Sequence, residues 1–173
     1  MLATPEDVRV YLALVDREHA AVVRFLVWCG CPPQDSTDAA QEAFLEAWRL
    51  MAMRPDKWAK VASPERWLRS VALRKWKRPP GPRHRVPETP VAEFPEQPVV
   101  TEHDSAFTIV WRALQSQDET TRIVWSLTRD GFSRKEIGEL LGISEQRVTD
   151  ILKKVRRAVE RVAQAIVGER AVL

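Results

Sequence analysis

The sequence predicts an all-α protein of two small helical domains joined by a proline-rich linker. Ala, Leu, Arg, Glu and Val dominate and only six glycines occur in 173 residues, which favours helices over strands. No window shows the repeated period-two alternation and hairpin turns of a sheet. Residues 79–104 hold seven of the twelve prolines and lack apolar periodicity. This segment is expected to be an extended linker between domains at 1–78 and 105–173.

The first domain is expected to contain helices bounded by caps and prolines. The segment 4–7, TPED, predicts a capped helix start, and Gly30 with the prolines after it predicts the end. Val8 and Leu12 are expected on the apolar face of this helix. The segment 35–38, DSTD, offers several caps for the next helix, which the following Arg-Pro-Asp breaks.

The second helix, DAAQEAFLEAWR at residues 38–49, has two distinct faces. Its apolar stripe consists of Ala40, Ala43, Phe44, Ala47 and Trp48. Another face combines acids, an amide, an arginine and a bare leucine: Asp38, Gln41, Glu42, Leu45 and Arg49. This mixed face could be an ordinary solvated surface or a docking surface for a partner.

The last helix of the first domain is basic and rich in tryptophan. It begins at Ser63 and ends before the paired prolines, with Trp67 facing inward. Its other face carries Arg66, Arg69, Ser70, Leu73, Arg74 and Lys77. Trp58 and Trp76 are interleaved with these bases, and aromatic rings among basic residues suit single-stranded nucleic acid. Both tryptophans could equally belong to the core.

Four helical segments are predicted in the second domain, at 105–115, 117–129, 134–141 and 145–166. Capping boxes are expected at Ser116 with Glu119 and at Ser133 with Glu136. The last two segments are typical of a helix-turn-helix, because Gly142 would close the first helix and Ser144 would cap the second. Gly138, in mid-helix, indicates a close approach of the second helix.

In a helix-turn-helix the start of the second helix reaches base edges in the major groove. The residues in that position are Glu145, Gln146, Arg147 and Thr149. The basic residues that could reach phosphates are Lys153, Lys154, Arg156 and Arg157. Gln matches adenine and Arg matches guanine by donor and acceptor geometry. The alternative is a plain helical hairpin with a solvated charged face.

Charge is distributed in a way that fits contact with a polyanion in two zones. Residues 54–85 carry a net charge of +9 and residues 133–173 carry +3, whereas 1–50 carry −4 and 86–132 carry −5. The first ten residues lack the pattern of a secretory signal, and no apolar run is long enough to span a membrane. We therefore expect a cytoplasmic protein without membrane insertion.

Taken in order, these motifs resemble the extracytoplasmic-function (ECF) class of bacterial sigma factors. The resemblance covers nearly all of the chain and rests on DxxQEAFLxxWR, WLRSVA, the proline-rich linker and GFSxxEIGxLLGISxxxV. It implies that residues 1–78 bind the β′ clamp helices of RNA polymerase core and melt the −10 promoter element. Residues 105–173 would read the −35 element as duplex while resting on the β-subunit flap.

The resemblance also assigns roles to individual residues. Core polymerase would be bound by Asp38, Gln41, Glu42 and Leu45. The −10 element would be bound by Trp58, Arg66, Arg69, Ser70, Arg74, Trp76 and Lys77. The −35 element would be bound by Ser144, Glu145, Gln146, Arg147, Thr149, Lys153, Lys154 and Arg156. An anti-sigma protein is a further partner that the resemblance allows.

Several positions depart from the family pattern and indicate a divergent member. Arg74 stands where an asparagine is expected, and the paired prolines cut the basic helix early. In the recognition helix, Arg147 replaces a usual threonine, and Asp150 would repel phosphate unless it pairs with a base amine or with Lys154. We therefore expect an unusual promoter sequence and an altered −10 contact set.

Other classes of function fit the sequence less well. An enzyme is not expected, because no phosphate-binding glycine loop or acid–base constellation occurs and the three histidines are scattered. Cys29 and Cys31 form a lone C-x-C, so neither a metal nor a cofactor is expected. Two alternatives remain: a dimeric helix-turn-helix regulator that acts without core polymerase, and a sigma-like regulator that no longer melts promoters.

Overall fold

A computed structural model describes residues 4–78 and 105–170, and all of their regular structure is helical. The helices are α1 (Pro5–Cys29), α2 (Pro33–Met53), α3 (Pro55–Trp58), α4 (Pro64–Lys77), α5 (Ser105–Gln115), α6 (Glu119–Arg129), α7 (Arg134–Leu141) and α8 (Glu145–Arg170). The all-α prediction is confirmed for these residues. The predicted linker, 79–104, lies outside them.

Helix α1 begins and ends where the sequence predicts. The Thr4 hydroxyl accepts a hydrogen bond from the Asp7 backbone N–H, and Gly30 ends the helix in the left-handed conformation with φ 99°. The expected apolar face is wrong near the start, because Val8 and Leu12 are exposed and Leu14 is buried instead.

Helix α2 begins at Pro33, two residues before the segment 35–38 that was predicted to cap it. No side chain of that segment caps the helix. Pro32 is the N-cap residue and makes no side-chain cap hydrogen bond. The hydroxyls of Ser36 and Thr37 donate back to the Pro33 carbonyl instead. A proline at the first helical position therefore replaces the expected polar cap, since its fixed φ already suits a helix. The short helix α3 was not predicted.

A second predicted cap, at the start of α6, is also wrong. Ser116 donates its hydroxyl to the Ala113 carbonyl, within the end of α5. Asp118 is the N-cap residue, and its carboxylate accepts from the Thr121 backbone N–H at 2.8 Å. A carboxylate two residues closer to the helix thus takes the place of the serine.

The first half is a bundle in which α2 packs against α1, α3 and α4. The predicted stripe of α2 supplies its centre, because Ala40, Ala43, Phe44 and Ala47 are buried. Trp48 is only half-buried, with its ring 5.0 Å from that of Tyr11. In the second half, α8 packs against α5, α6 and α7.

The two halves share one continuous core. Helix α6 packs on α1, so that Ile123 and Val124 belong to the same buried cluster as Phe25 and Leu26. Ile137 of α7 and Val148 of α8 belong to it too. Residues 4–78 and 105–170 were predicted to form separate domains, but in the structure they pack against each other. This packing brings α6 and α7 to the basic helix α4.

Candidate functional site

The turn between α7 and α8 is built largely as the sequence predicts. The Ser133 hydroxyl accepts from the Glu136 N–H, the Glu136 carboxylate accepts from the Ser133 N–H, and Gly142 closes α7 with φ 67°. A Cβ added to Gly138 would lie 2.6 Å from the Ile143 carbonyl oxygen. Glycine is therefore required by the turn itself, and not by the second helix as expected.

The N-terminal end of α8 presents polar side chains to solvent. The Ser144 hydroxyl accepts from the Arg147 N–H at 3.1 Å and caps the helix. Glu145, Gln146 and Arg147 are exposed, while the hydroxyl of the half-buried Thr149 donates to the Glu145 carbonyl. The predicted base-reading residues thus form one accessible surface at the start of a fixed helix.

Asp150, an acid on this surface, has different partners from those expected. Asp150 accepts from the Gln146 side-chain amide at 3.1 Å and lies 3.8 Å from the Lys153 ammonium group. Lys154 pairs with Asp118 at 3.1 Å and not with Asp150. Asp118 and Lys154 also line an open groove of about 180 Å³.

Arg156 forms an exposed ion pair with Glu160, 3.0 Å away. The pairs of Lys153, Lys154 and Arg156 are all well exposed, with side chains that are at least half accessible. Exposed ion pairs contribute about 0–1 kcal/mol, so these cations can be redirected to a phosphate at little cost.

The mixed face of α2 is largely open. Asp38, Gln41 and Leu45 are exposed, and Leu45 keeps 51% of its surface accessible. Glu42 is half-buried, with the Lys75 ammonium group of α4 3.7 Å from its carboxylate. The predicted residues therefore lie together on one helical face whose centre is an exposed leucine between polar groups.

The predicted nucleic-acid face of α4 is largely occupied by other protein groups. Arg66 pairs with Glu136, Arg69 pairs with Glu18 and Asp130, and Lys77 pairs with Glu119. Of the five polar side chains assigned to this face, Arg74 stays exposed, with its guanidinium bonded to the Ser70 carbonyl, and Ser70 donates to the Arg66 carbonyl. Leu73, expected on this face, is buried in the core.

The two tryptophans assigned to this region are packed against the core. Trp58 meets Trp67 edge-on, with ring centroids 5.7 Å apart, and both are half-buried. Trp76 is half-buried, and the Lys77 ammonium group lies 4.7 Å from its ring centre. In this conformation both rings are at least partly used for packing.

An aromatic cluster where the halves meet was not predicted. Trp28 at the end of α1 contacts Trp111 and Trp125, with ring centroids 4.8 and 5.1 Å away, and Phe107 also touches it. The Arg129 guanidinium lies over Trp28 and Trp125. The residues are far apart in sequence, so no local pattern could have indicated their meeting.

Neither a metal centre nor a membrane span was found in the part of the chain that the structure describes. In residues 4–78 and 105–170, no three His, Cys, Asp or Glu side chains are grouped to hold an ion. Within the same ranges, no helix is both long and apolar enough to cross a membrane. The candidate surfaces are therefore the α2 face, the α4 face and the start of α8.

No known protein-family model matches this sequence, and no curated protein matches it at a significant level.

Proposed function

We propose that this chain is a divergent ECF-class sigma factor, which binds bacterial RNA polymerase core in the cytoplasm and directs it to promoter DNA. The observation that carries the proposal is the presence of two exposed faces of different chemistry on one small helical chain. One is the mixed face of α2, and the other is the polar start of α8.

The start of α8 supports reading of duplex DNA. Helices α7 and α8 would act as a helix-turn-helix, with Gln146 and Arg147 facing base edges in the major groove of the −35 element. Both side chains are exposed, while Val148 beside them is buried and fixes the rotation of the helix. Lys153 and Arg156, farther along α8, would contact phosphates and set the register.

The mixed face of α2 supports docking to the polymerase. Leu45 is exposed among polar groups, an arrangement that fits the apolar centre and polar rim of a protein interface. Asp38 and Gln41 would supply the polar contacts to the β′ clamp helices. Neither residue is needed for DNA binding by a helix-turn-helix alone.

Core binding is the decisive experiment. The purified chain is mixed with sigma-free bacterial core polymerase, and complex formation and promoter-dependent transcription are measured. We expect Asp38→Ala combined with Gln41→Ala to weaken core binding about tenfold or more. The matched control replaces two exposed acids elsewhere, Asp16→Ala with Glu139→Ala, and should retain affinity although it removes more charge. Equal affinity for core in both double variants would rule out this role of α2.

The duplex-reading role has its own test. Arg147→Ala should change the preferred base at one position of the selected duplex, because a bidentate arginine discriminates by about 1–3 kcal/mol. Arg156→Ala should lower affinity for all sequences alike and reduce the salt dependence. A uniform loss for both variants would contradict base reading by Arg147.

A second candidate function is a transcriptional regulator that binds duplex DNA without core polymerase. It is favoured by the occupation of Arg66, Arg69 and Lys77 of α4 by acids of the second half, since melting of a promoter would need such cations. This candidate predicts dimers on a palindromic operator and no binding to core. The core-binding experiment therefore separates the two functions.

A further inference from the structure

Three cations of α4 each contact an acid from the second half of the chain. We call Arg66, Arg69 and Lys77 the α4 cations. Their partners are Glu136 in the first turn of α7, Asp130 at the end of α6 and Glu119 at the start of α6. The contact therefore extends over most of the length of α4, in the place where a polyanion would have to lie.

The central contact is far more buried than a surface ion pair. The side chains of Arg69, Glu18 and Asp130 are 11–12% exposed, and Arg69 also donates to the Glu65 carbonyl at 2.8 Å. Because removing a buried charge from its partners is costly, Arg69 cannot turn to a phosphate without separation of α6 from α4. A strand of DNA therefore competes directly with Asp130.

Further contacts join the second half of the chain to α4 and to the end of α1. The Arg66 guanidinium lies 4.7 Å from the Phe132 ring centre, between α6 and α7. The Arg122 guanidinium of α6 lies against Gly30, where an added Cβ would be 2.7 Å from it. The Trp28 cluster, at the same end of α1, joins α1 to α5 and α6, so the second half is held beside the first by packing as well as by charge.

The contact is selective in what it covers. The exposed residues at the start of α8, such as Gln146 and Arg147, face solvent, and so do Asp38 and Leu45 of α2. Two of the three candidate surfaces are thus available. On the third, Arg69 is enclosed and Arg66 and Lys77 are paired with acids of the second half, while Arg74 stays exposed. A chain in this state could bind duplex DNA and core polymerase before it could bind a single strand on α4.

We propose that the second half of this chain is an intramolecular mask of α4, in which Glu119, Asp130 and Glu136 occupy the sites of a nucleic-acid backbone. The inference depends on the proposed function, because it takes α4 to be a single-strand-binding face. Separation of α6 and α7 from α4 is then a required step before promoter melting. Each of these three carboxylates would occupy the position of a phosphate group.

The native cysteines report on this separation. Cys29 and Cys31 are the two cysteines of the chain, both are buried, and both lie where α1 ends against α6. Burial raises the pKa of both thiols to about 12, so little reactive thiolate is present at neutral pH in the closed state. The rate of thiol labelling should therefore increase when the mask opens.

The test is the triple variant Glu119→Gln, Asp130→Asn, Glu136→Gln, which removes the mask charges with nearly unchanged shape. Glutamine at position 136 can still complete a capping box. We expect thiol labelling and affinity for a fluorescent mixed-sequence single-stranded oligonucleotide to increase about tenfold, as the open fraction rises. The control Glu6→Gln, Asp16→Asn, Glu139→Gln replaces three exposed acids away from the assigned surfaces and has the same change in net charge. It should show neither increase beyond a general electrostatic one.

The outcomes decide the proposal in each case. Labelling and single-strand affinity equal to those of the control would overturn the mask. Faster labelling without tighter single-strand binding would overturn it too, because α4 would then not be a nucleic-acid face. If the triple variant unfolds, Glu136→Gln alone should give a smaller change in the same direction. Core binding of each variant, measured separately, tests the proposed function independently of the mask.

Discussion

The α4 face and the start of α8 carry similar residues but lie in opposite surroundings. Both are helical, and both present arginines that the sequence assigns to nucleic acid. Arg69 of α4 is 12% exposed between Glu18 and Asp130, whereas Arg147 of α8 faces solvent. The difference shows that two helices with similar basic residues can differ in which of those residues are accessible, because acids from other segments enclose Arg69 of α4 and leave Arg147 of α8 open.

The largest expected effect comes from removing the most buried cation of α4. Arg69→Met keeps much of the aliphatic stem but leaves Glu18 and Asp130 without their shared partner. We expect a loss of about 3–5 kcal/mol in the free energy of unfolding, the usual cost of breaking a buried ion pair. Urea denaturation followed by tryptophan fluorescence measures it.

The control lies on the same helix. Arg74→Met removes an exposed arginine and should change the free energy of unfolding by less than about 0.5 kcal/mol. Equal losses for the two variants would mean that the contact between Arg69 and the second half contributes nothing, and the contrast between α4 and α8 would disappear.

The next effect concerns the turn that positions α8 relative to α7. Gly138→Ala places a Cβ 2.6 Å from the Ile143 carbonyl, so the turn must move. We expect a loss of about 1–3 kcal/mol in stability, typical of overpacking, together with weaker duplex binding.

Gly142→Ala is the matched control for this steric effect. An added Cβ at Gly142 meets no atom within 4 Å, and the cost is the strain of a left-handed alanine, about 1–2 kcal/mol. Duplex affinity should therefore be less affected than in Gly138→Ala. A greater loss of duplex binding in Gly142→Ala would show that helix termination, and not the approach of the Ile143 carbonyl, positions α8.

Local features of this fold were predictable because their causes are local. The Ser133 capping box, the Gly142 turn and the apolar stripe of α2 depend on residues within a few positions of one another. The N-cap residues of α2 and α6 were predicted wrongly because several neighbouring polar side chains near each helix start could act as the cap. Pro32 and Asp118 took those positions.

Contacts between the halves could not be predicted for a different reason. Arg69 lies 61 residues from Asp130 in the sequence, so no periodicity connects them. The sequence placed Arg66, Arg69 and Lys77 on one face, and all three contact acids of the second half, although Leu73 of the same predicted face is buried. It could not indicate that the acids of α6 and α7 would be brought to that face, because this depends on how α6 packs on α1.

A smaller effect tests the corrected cap of α6. Asp118→Ala removes the carboxylate that accepts from the Thr121 N–H and releases Lys154 of α8. We expect a loss of about 0.5–2 kcal/mol in the free energy of unfolding, the usual value for an N-cap. Ser116→Ala should cost less than about 0.5 kcal/mol, since it is not the cap. The reverse order in urea denaturation would restore the predicted cap at Ser116.

The smallest effect concerns Glu136, the carboxylate that joins α4 to the start of α7. Hydrogen bonds from the Ser133 backbone N–H and hydroxyl, followed by the Arg66 contact, lower the pKa of Glu136 from 4.5 to about 2. A carboxyl group with a lowered pKa in the folded state stabilises the fold fully above its unfolded pKa. That contribution is lost as the pH falls from about 4.5 towards 2.

Glu136→Gln keeps the capping box but has no charge to lose. The stability advantage of the natural chain over this variant should therefore shrink between about pH 5 and pH 3, as measured by urea midpoints. Glu139→Gln, an exposed change on the same helix, should show a smaller change with pH. A constant advantage of Glu136 across this range would mean that its charge supports neither the start of α7 nor the contact with Arg66 of α4.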